Sequence, residues 1–277
     1  MTRLSVLLAL LAASMAAQDW ARQKVEQSPR HREWVSVKHG GRSVETYVVY
    51  PESREKTPVV VVIHEIFGHT DWVQDLADQL AEAGYIAVAP DLLSGMGPNG
   101  GRTTSFESNR VGEAIGKLPP DQITADLNAV ADYGLKLPAS NGRLFVAGFC
   151  YGGSQSFRFA TNRPDLRAAF VFYGTAPSSG PQGQFVPDKE ALGRIKAPVY
   201  GFYGGNDARV DATIAPTQEA MKALGKTYEP VTYEGAGHGF MRAGEDPGGK
   251  EPTHEANVKA RAEAWTRWKT LLKERGK

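Results

Sequence analysis

Residues 144–153 leave this chain few folds to choose from. Leu144-Phe145-Val146-Ala147 is a short apolar, strand-like run. Gly148-Phe149-Cys150-Tyr151-Gly152-Gly153 follows at once, ahead of a helical pattern over 152–161. Gly-x-Cys-x-Gly between a strand and a helix has the spacing of a nucleophile elbow, with cysteine where serine usually stands. So sharp a turn crowds its flanks, and glycine relieves the crowding because it has no Cβ. The apex side chain is presented at the head of the next helix, where the dipole favours negative charge. A buried, inert thiol is the alternative for this single cysteine. The glycines and the strand-turn-helix context favour a nucleophile.

The rest of the pattern agrees with the elbow. Trp34–Val37 and Val44–Tyr50 read as two antiparallel strands around His39-Gly40-Gly41. Pro58–His64 is a continuous β-branched run, as expected of a strand buried on both faces. Helical patterns over 71–83, 121–137 and 253–275 alternate with strands over 85–89, 143–149, 168–173, 198–203 and 228–233. Trp265 and Trp268 share one face of the last helix. This alternation predicts an α/β fold with a mostly parallel central sheet and helices on both faces. Active groups of such sheets gather at the carboxyl ends of the strands. The connections 91–120 and 174–196 are long enough to wall a pocket, and Gln18–Pro29 reads as a loose polar lead-in.

Composition narrows the setting. Arg3, an apolar run from Leu4 to Ala13 and small residues at 14–17 read as an export signal over 1–17, too short for a membrane span. A periplasmic or secreted protein is therefore expected, with one α/β domain over 30–277. Lys+Arg 32 against Asp+Glu 31 leaves no basic field, so nucleic acid is not an expected partner. A lone thiol outside the cytoplasm points to reactive chemistry rather than a disulfide. A monomer is expected, with no membrane contact beyond the leader.

A thiol nucleophile needs a base, and the base needs an orienting group. Gly235-Ala236-Gly237-His238-Gly239 places His238 in a glycine loop after the last strand, and Tyr203-Gly204-Gly205-Asn206-Asp207 places Asp207 just past another strand. Nucleophile, acid, histidine is the chain order of α/β-hydrolases. Asp211 is the competing acid, one helical turn further from the strand end. His64-Glu65-Ile66-Phe67-Gly68 ends the valine-rich strand, where such a fold sets its second oxyanion donor. The backbone N–H groups of Ile66 and Tyr151 are the expected pair, each such donor being worth about 10²–10³ in rate. Glu65 is out of place beside an oxyanion unless it is protonated or moves; a loop-anchoring carboxylate is its plainer reading.

These motifs, with Pro90-Asp91-Leu92 and His238-Gly239-Phe240, resemble the dienelactone hydrolase (carboxymethylenebutenolidase-like) family from about Trp34 to the C-terminus. The resemblance implies a Cys150–His238–Asp207 triad that opens a lactone or ester through an acyl-cysteine, without metal or cofactor. It implies that Glu65 holds the resting thiol protonated and takes its proton when substrate binds. Phe67 falls among the substrate-facing positions. Two arginines are implied for a substrate carboxylate: Arg242, and either Arg110 or, as fallback, Arg102. Gly239 departs from the family pattern, as do the leader, the extra hairpin and the glycine-rich 91–120 segment. These departures detach the expected hydrolysis from dienelactone itself as substrate. A general carboxylesterase for uncharged esters and a non-hydrolytic thiol or binding protein remain as alternatives. His64-Glu65-x-x-x-His69 lacks the four-residue histidine spacing of a zinc protease helix, so no metal is expected there.

Overall fold

Val59–Val62 are fully buried, as a strand covered on both faces requires. The computed structural model describes residues 18–181 and 183–277; the leader expected over 1–17 lies outside them. The chain divides into two units, 1–142 and 143–277.

The first unit contains helix α1 (Asp19–Gln27), strands β1 (Arg32–His39), β2 (Arg42–Val49) and β3 (Thr57–Ile63), helix α2 (Asp71–Glu82), strand β4 (Ile86–Pro90), and helices α3 (Ser108–Gly116) and α4 (Pro120–Lys136). Strands β3 and β4 are parallel, with Val60 beside Ala87. Strand β2 runs antiparallel to β4, and β1 antiparallel to β2. Helix α2 buries Trp72, Val73, Leu76 and Leu80, at helical spacing.

One expectation is corrected here and one connection is filled in. The lead-in is a helix. Ala21 and Val25, four apart on α1, are buried, and the helix packs on α2. The Gln18 side chain accepts the Trp72 N–H at 3.1 Å, and Arg30 forks onto Asp78 at 2.5 and 3.0 Å. The 91–120 connection is also structured. It carries α3, whose Val111 and Ile115 are buried, and two short 3₁₀ turns. Asp91 anchors it, accepting the Thr103 N–H at 2.9 Å, the Thr103 hydroxyl at 2.7 Å and the Leu93 N–H at 3.0 Å.

The second unit contains strand β5 (Ser140–Phe149), helix α5 (Tyr151–Ala160), strand β6 (Leu166–Phe172), helix α6 (Lys189–Gly193), strand β7 (Val199–Gly204), helices α7 (Ala208–Asp211) and α8 (Ile214–Ala223), strand β8 (Tyr228–Tyr233), and helices α9 (Phe240–Ala243) and α10 (His254–Arg275). Neighbouring strands β5, β6, β7 and β8 are all parallel, and Phe149, Phe172 and Phe202 stand side by side across three of them. Their rings stack at 4.5 and 4.3 Å, and Trp268 of α10 meets Phe172 edge-on at 4.9 Å. This aromatic core lies beneath the strand ends that carry the chemistry. Helix α6, inside the 174–196 connection, was not predicted; Asp188 caps it by accepting the Ala191 N–H at 3.0 Å.

Candidate active site

The elbow forms where the sequence places it. Cys150 sits between β5 and α5 with φ +55° and ψ −113°, a backbone conformation rare for a residue with a Cβ. Close approach dictates its glycines. A Cβ at Gly148 would lie 1.8 Å from the Gly152 carbonyl oxygen, and one at Gly153 2.4 Å from the Phe172 oxygen. The Cys150 N–H is tied to the Phe172 carbonyl at 3.0 Å, so β6 holds the turn from below. Tyr151 is the first residue of α5, so its N–H is among those a helix leaves without an internal acceptor.

The acid and the histidine are brought together by stitching between two loops. The Gly205 N–H donates to Tyr233 O at 2.9 Å, the Asn206 N–H to Ala236 O at 2.8 Å, and the Asn206 amide to Gly235 O at 3.0 Å. A Cβ at Gly204 would sit 2.6 Å from the Ala236 and Gly237 oxygens, so only glycine lets the loops touch. From the other side, Asn257 of α10 accepts the Gly237 N–H at 2.8 Å. With both loops fixed, His238 Nδ1 hydrogen-bonds Asp207 Oδ2. Gly239, at φ +76°, turns the chain directly into α9.

The electrostatics follow from that geometry. Burial opposes charge on His238, but its hydrogen bonds to Asp207 and Cys150 and the electrostatic pull of those partners override it, and its pKa is pushed up to about 10. Asp207 is 8 % exposed. Burial pulls its pKa up, but the hydrogen bond and charge of His238, with help from Arg209 and the Val210 N–H, bring it below the usual carboxylate value. Asp211, the competing acid, makes no contact of this kind. One of its oxygens is buried without a partner among the described residues, and burial with the nearby Asp207 charge raises its pKa. The arrangement can move a proton between thiol and imidazole and hold the resulting charge.

The remaining candidates divide by unit. Arg242 lies in α9, one turn after His238. Glu65, Ile66 and Phe67 form the loop after β3, in the first unit. Glu65 is 2 % exposed, and its carbonyl accepts the Gly68 N–H at 3.1 Å and the His64 ring at 2.8 Å. A Cβ on Gly112 of α3 would lie 3.5 Å from the Ile66 side chain, so α3 backs this loop. Arg110 is on the outside, its side chain 62 % exposed and paired with Glu113 at 3.2 Å. Arg102 instead lies 3.5 Å above the Trp34 ring. His64 is fully buried and takes the Leu92 N–H on Nε2 at 3.2 Å; burial lowers its pKa. His69 packs 4.7 Å from Trp34, and burial pushes its pKa down to about 3. Among the described residues, no group of three or more His, Cys, Asp or Glu is placed to hold a metal, and no helix is long and apolar enough to cross a membrane.

Sequence reasoning missed two supports of the histidine loop. Asn257 was legible only as a polar residue on the otherwise apolar stripe of α10, with Ala260, Ala264 and Trp268. Tyr173, whose ring meets His238 edge-to-face at 5.1 Å, left no mark in the pattern.

Known proteins resemble this chain in sequence and in fold. The profile of the dienelactone hydrolase family matches residues 44–276. A Methylorubrum extorquens protein named "putative carboxymethylenebutenolidase" is 33 % identical over 71 % of this chain and 68 % of its own length. A Salmonella typhimurium protein of the same name is 31 % identical over 84 % of this chain and 83 % of its own. The crystal structure of a putative dienelactone hydrolase from Klebsiella pneumoniae superimposes with a TM-score of 0.73 at 26 % identity, covering 88 % of this chain and 98 % of that one. The thermostable carboxylesterase EstE1 shares the fold alone, with a TM-score of 0.63 at 16 % identity over 95 % and 96 % of the two chains. The mostly parallel strands and flanking helices are those of the α/β-hydrolase fold.

Proposed function

This chain belongs to the dienelactone hydrolase family, and on that premise we propose that it opens a lactone or carboxylic ester through an acyl-enzyme on Cys150. The carrying observation is the hydrogen-bonded series Asp207–His238–Cys150, assembled within one unit at the head of α5. His238 takes the thiol proton, and the sulfur attacks the carbonyl carbon. The tetrahedral oxyanion collapses and expels the alkoxide, which leaves with the proton from His238. Water, deprotonated by His238, then releases the acid and restores the thiol. Asp207 keeps the imidazole in the required tautomer and stabilises it when charged. The family resemblance supplies the further roles: Ile66 and Tyr151 N–H groups for the oxyanion, and Glu65 to hold the resting thiol protonated until substrate binds.

Substrate charge is the open variable. An anionic lactone is the reading that Arg242 supports, with Arg110 or Arg102 as its second partner. An uncharged ester is the second reading, favoured by the surface pairing of Arg110 with Glu113. Export is part of the proposal, resting on the leader-like sequence of residues 1–17; N-terminal sequencing of protein from the periplasm or medium would show a start near residue 18.

The test is turnover of a dienelactone and of a neutral aryl ester by the mature protein and by Cys150→Ala. Hydrolysis abolished in the variant supports the cysteine enzyme. A lactone KM raised by Arg242→Ala or Arg102→Ala, with the neutral ester unaffected, supports the anionic substrate. A readily alkylated Cys150 with turnover of neither compound would overturn the reading in favour of a thiol or binding protein.

A further inference from the structure

Three non-glycine residues among the described ones hold φ in the left-handed region: Asn99, Cys150 and Tyr173. Asn99 lies in a 3₁₀ turn, and asparagine tolerates this conformation. Cys150 is the apex of the elbow. Tyr173 is a bulky aromatic residue at φ +41°, only 1 % exposed, at the carboxyl end of β6. Strain of this kind persists only where the surroundings over-determine it, and it collects at functional sites.

The surroundings of Tyr173 are specific. Its N–H donates to the Phe202 carbonyl at 2.8 Å, which extends the β6–β7 ladder by one residue. The next residue, Gly174, runs so close to α5 that a Cβ there would lie 2.3 Å from the Gly153 carbonyl carbon and the Ser154 nitrogen. The backbone is thus clamped on both sides of Tyr173 and cannot relax out of the left-handed region. Held this way, the side chain packs edge-to-face on His238, with ring centroids 5.1 Å apart, and on Phe240 at 5.4 Å. Phe149, the residue before the nucleophile, lies 6.3 Å away. The two strained non-glycine residues of the second unit therefore both meet the same imidazole, one by hydrogen bond and one by ring packing.

We propose that Tyr173 is a positioning residue for His238, its ring fixing the imidazole plane so that one nitrogen stays on Asp207 while the other stays on Cys150. Hydrogen bonds at its two nitrogens leave a ring free to rock about the line that joins them. A buried aromatic wall removes the rocking. A ring that rocks would also loosen the Asp207 and Cys150 contacts that keep His238 protonated. The proposal rests on the triad reading above only for its catalytic meaning; the packing and its effect on His238 are independent of turnover.

The test uses the mature chain and its Tyr173→Phe and Tyr173→Leu variants, with two readouts. One is hydrolysis of p-nitrophenyl acetate; the other is the NMR titration of the His238 ring. Tyr173→Leu is expected to lower kcat by about 10–100-fold, the scale of a displaced catalytic group, with KM within about twofold. It should also move the His238 titration midpoint down by at least one pH unit. Tyr173→Phe, which keeps the ring, should restore both. A folded Tyr173→Leu protein with unchanged kcat and unchanged titration would overturn the proposal, as would a Phe variant as impaired as Leu. If the Leu variant does not fold, Tyr173→Met is read in its place, since it keeps the bulk without the ring. Failure of the wild type to hydrolyse any ester would sink the triad reading alone, because the titration still reports on Tyr173.

Discussion

His238 and His69 are the same side chain set in opposite surroundings, one in each unit. His238 has a carboxylate on one ring nitrogen and the thiol as its other partner, and its pKa is pushed up to about 10. His69 is buried against Trp34 and Tyr47, its ring nitrogens without hydrogen-bond partners among the described residues, and its pKa falls to about 3. Burial acts against charge in both; what differs is the partner. The first unit also sets a buried carboxylate on a ring, Asp126 on His39 at 2.7 Å, but shares it with Arg42 at 3.0 Å; its buried Asp91 goes to Thr103 and backbone N–H groups. A histidine paired with an acid becomes chemistry when a nucleophile stands at its other nitrogen, as Cys150 does at His238, held by the elbow and the 204–207 and 233–239 loops.

The contrast can be broken most forcefully at Cys150. Cys150→Ala should cut ester kcat/KM by more than about 10⁴-fold, because removing a member of a unit that acts together removes most of its effect. It should also lower the His238 titration midpoint, since the cysteine is part of what holds that proton. Asp207→Asn should cost about 10²–10⁴-fold in kcat by favouring the wrong tautomer. It should lower the His238 midpoint further than Cys150→Ala does.

The stability predictions are smaller and separate the units. Arg30→Ala leaves Asp78 buried without its fork and should destabilise the fold by about 2–3 kcal/mol, with kcat unchanged; a urea melt and an esterase assay read both. Least of all, His69→Leu should alter stability at pH 8 by within about 1 kcal/mol, since no hydrogen bond is lost.

The pH dependence of stability has opposite signs at the two histidines. His69 has a folded pKa near 3 against an ordinary 6.5, so its contribution is complete above pH 6.5 and is lost as pH falls toward 3. His238 has a folded pKa near 10, so its contribution is complete below pH 6.5 and is lost as pH rises toward 10. His69→Leu should therefore flatten the acid limb of a stability–pH curve and spare the alkaline one. His238→Asn should do the reverse.

What could be read from the sequence follows the same division. The elbow, Asp207 and His238 are each marked by glycines at a strand's carboxyl end, a local signal carried by steric necessity, as Gly148 and Gly204 show. Helices α1 and α3 carry only two buried apolar residues each in nine, too few for the pattern to separate them from loop. The stacking of Arg102 on Trp34 joins two distant segments, and nothing in either one announces the other. Tyr173 reads as the end of an ordinary buried strand. Its role lies in a backbone angle imposed by Phe202 and Gly174.

The central claim is that Cys150 carries the acyl group. Rapid acid quench of the protein with p-nitrophenyl acetate, followed by mass analysis of its peptides, reads this directly. The account predicts an acetyl group on the Cys150 peptide that appears with the first turnover and is absent from Cys150→Ala. Hydrolysis with no adduct on that peptide, undiminished in the variant, would contradict it.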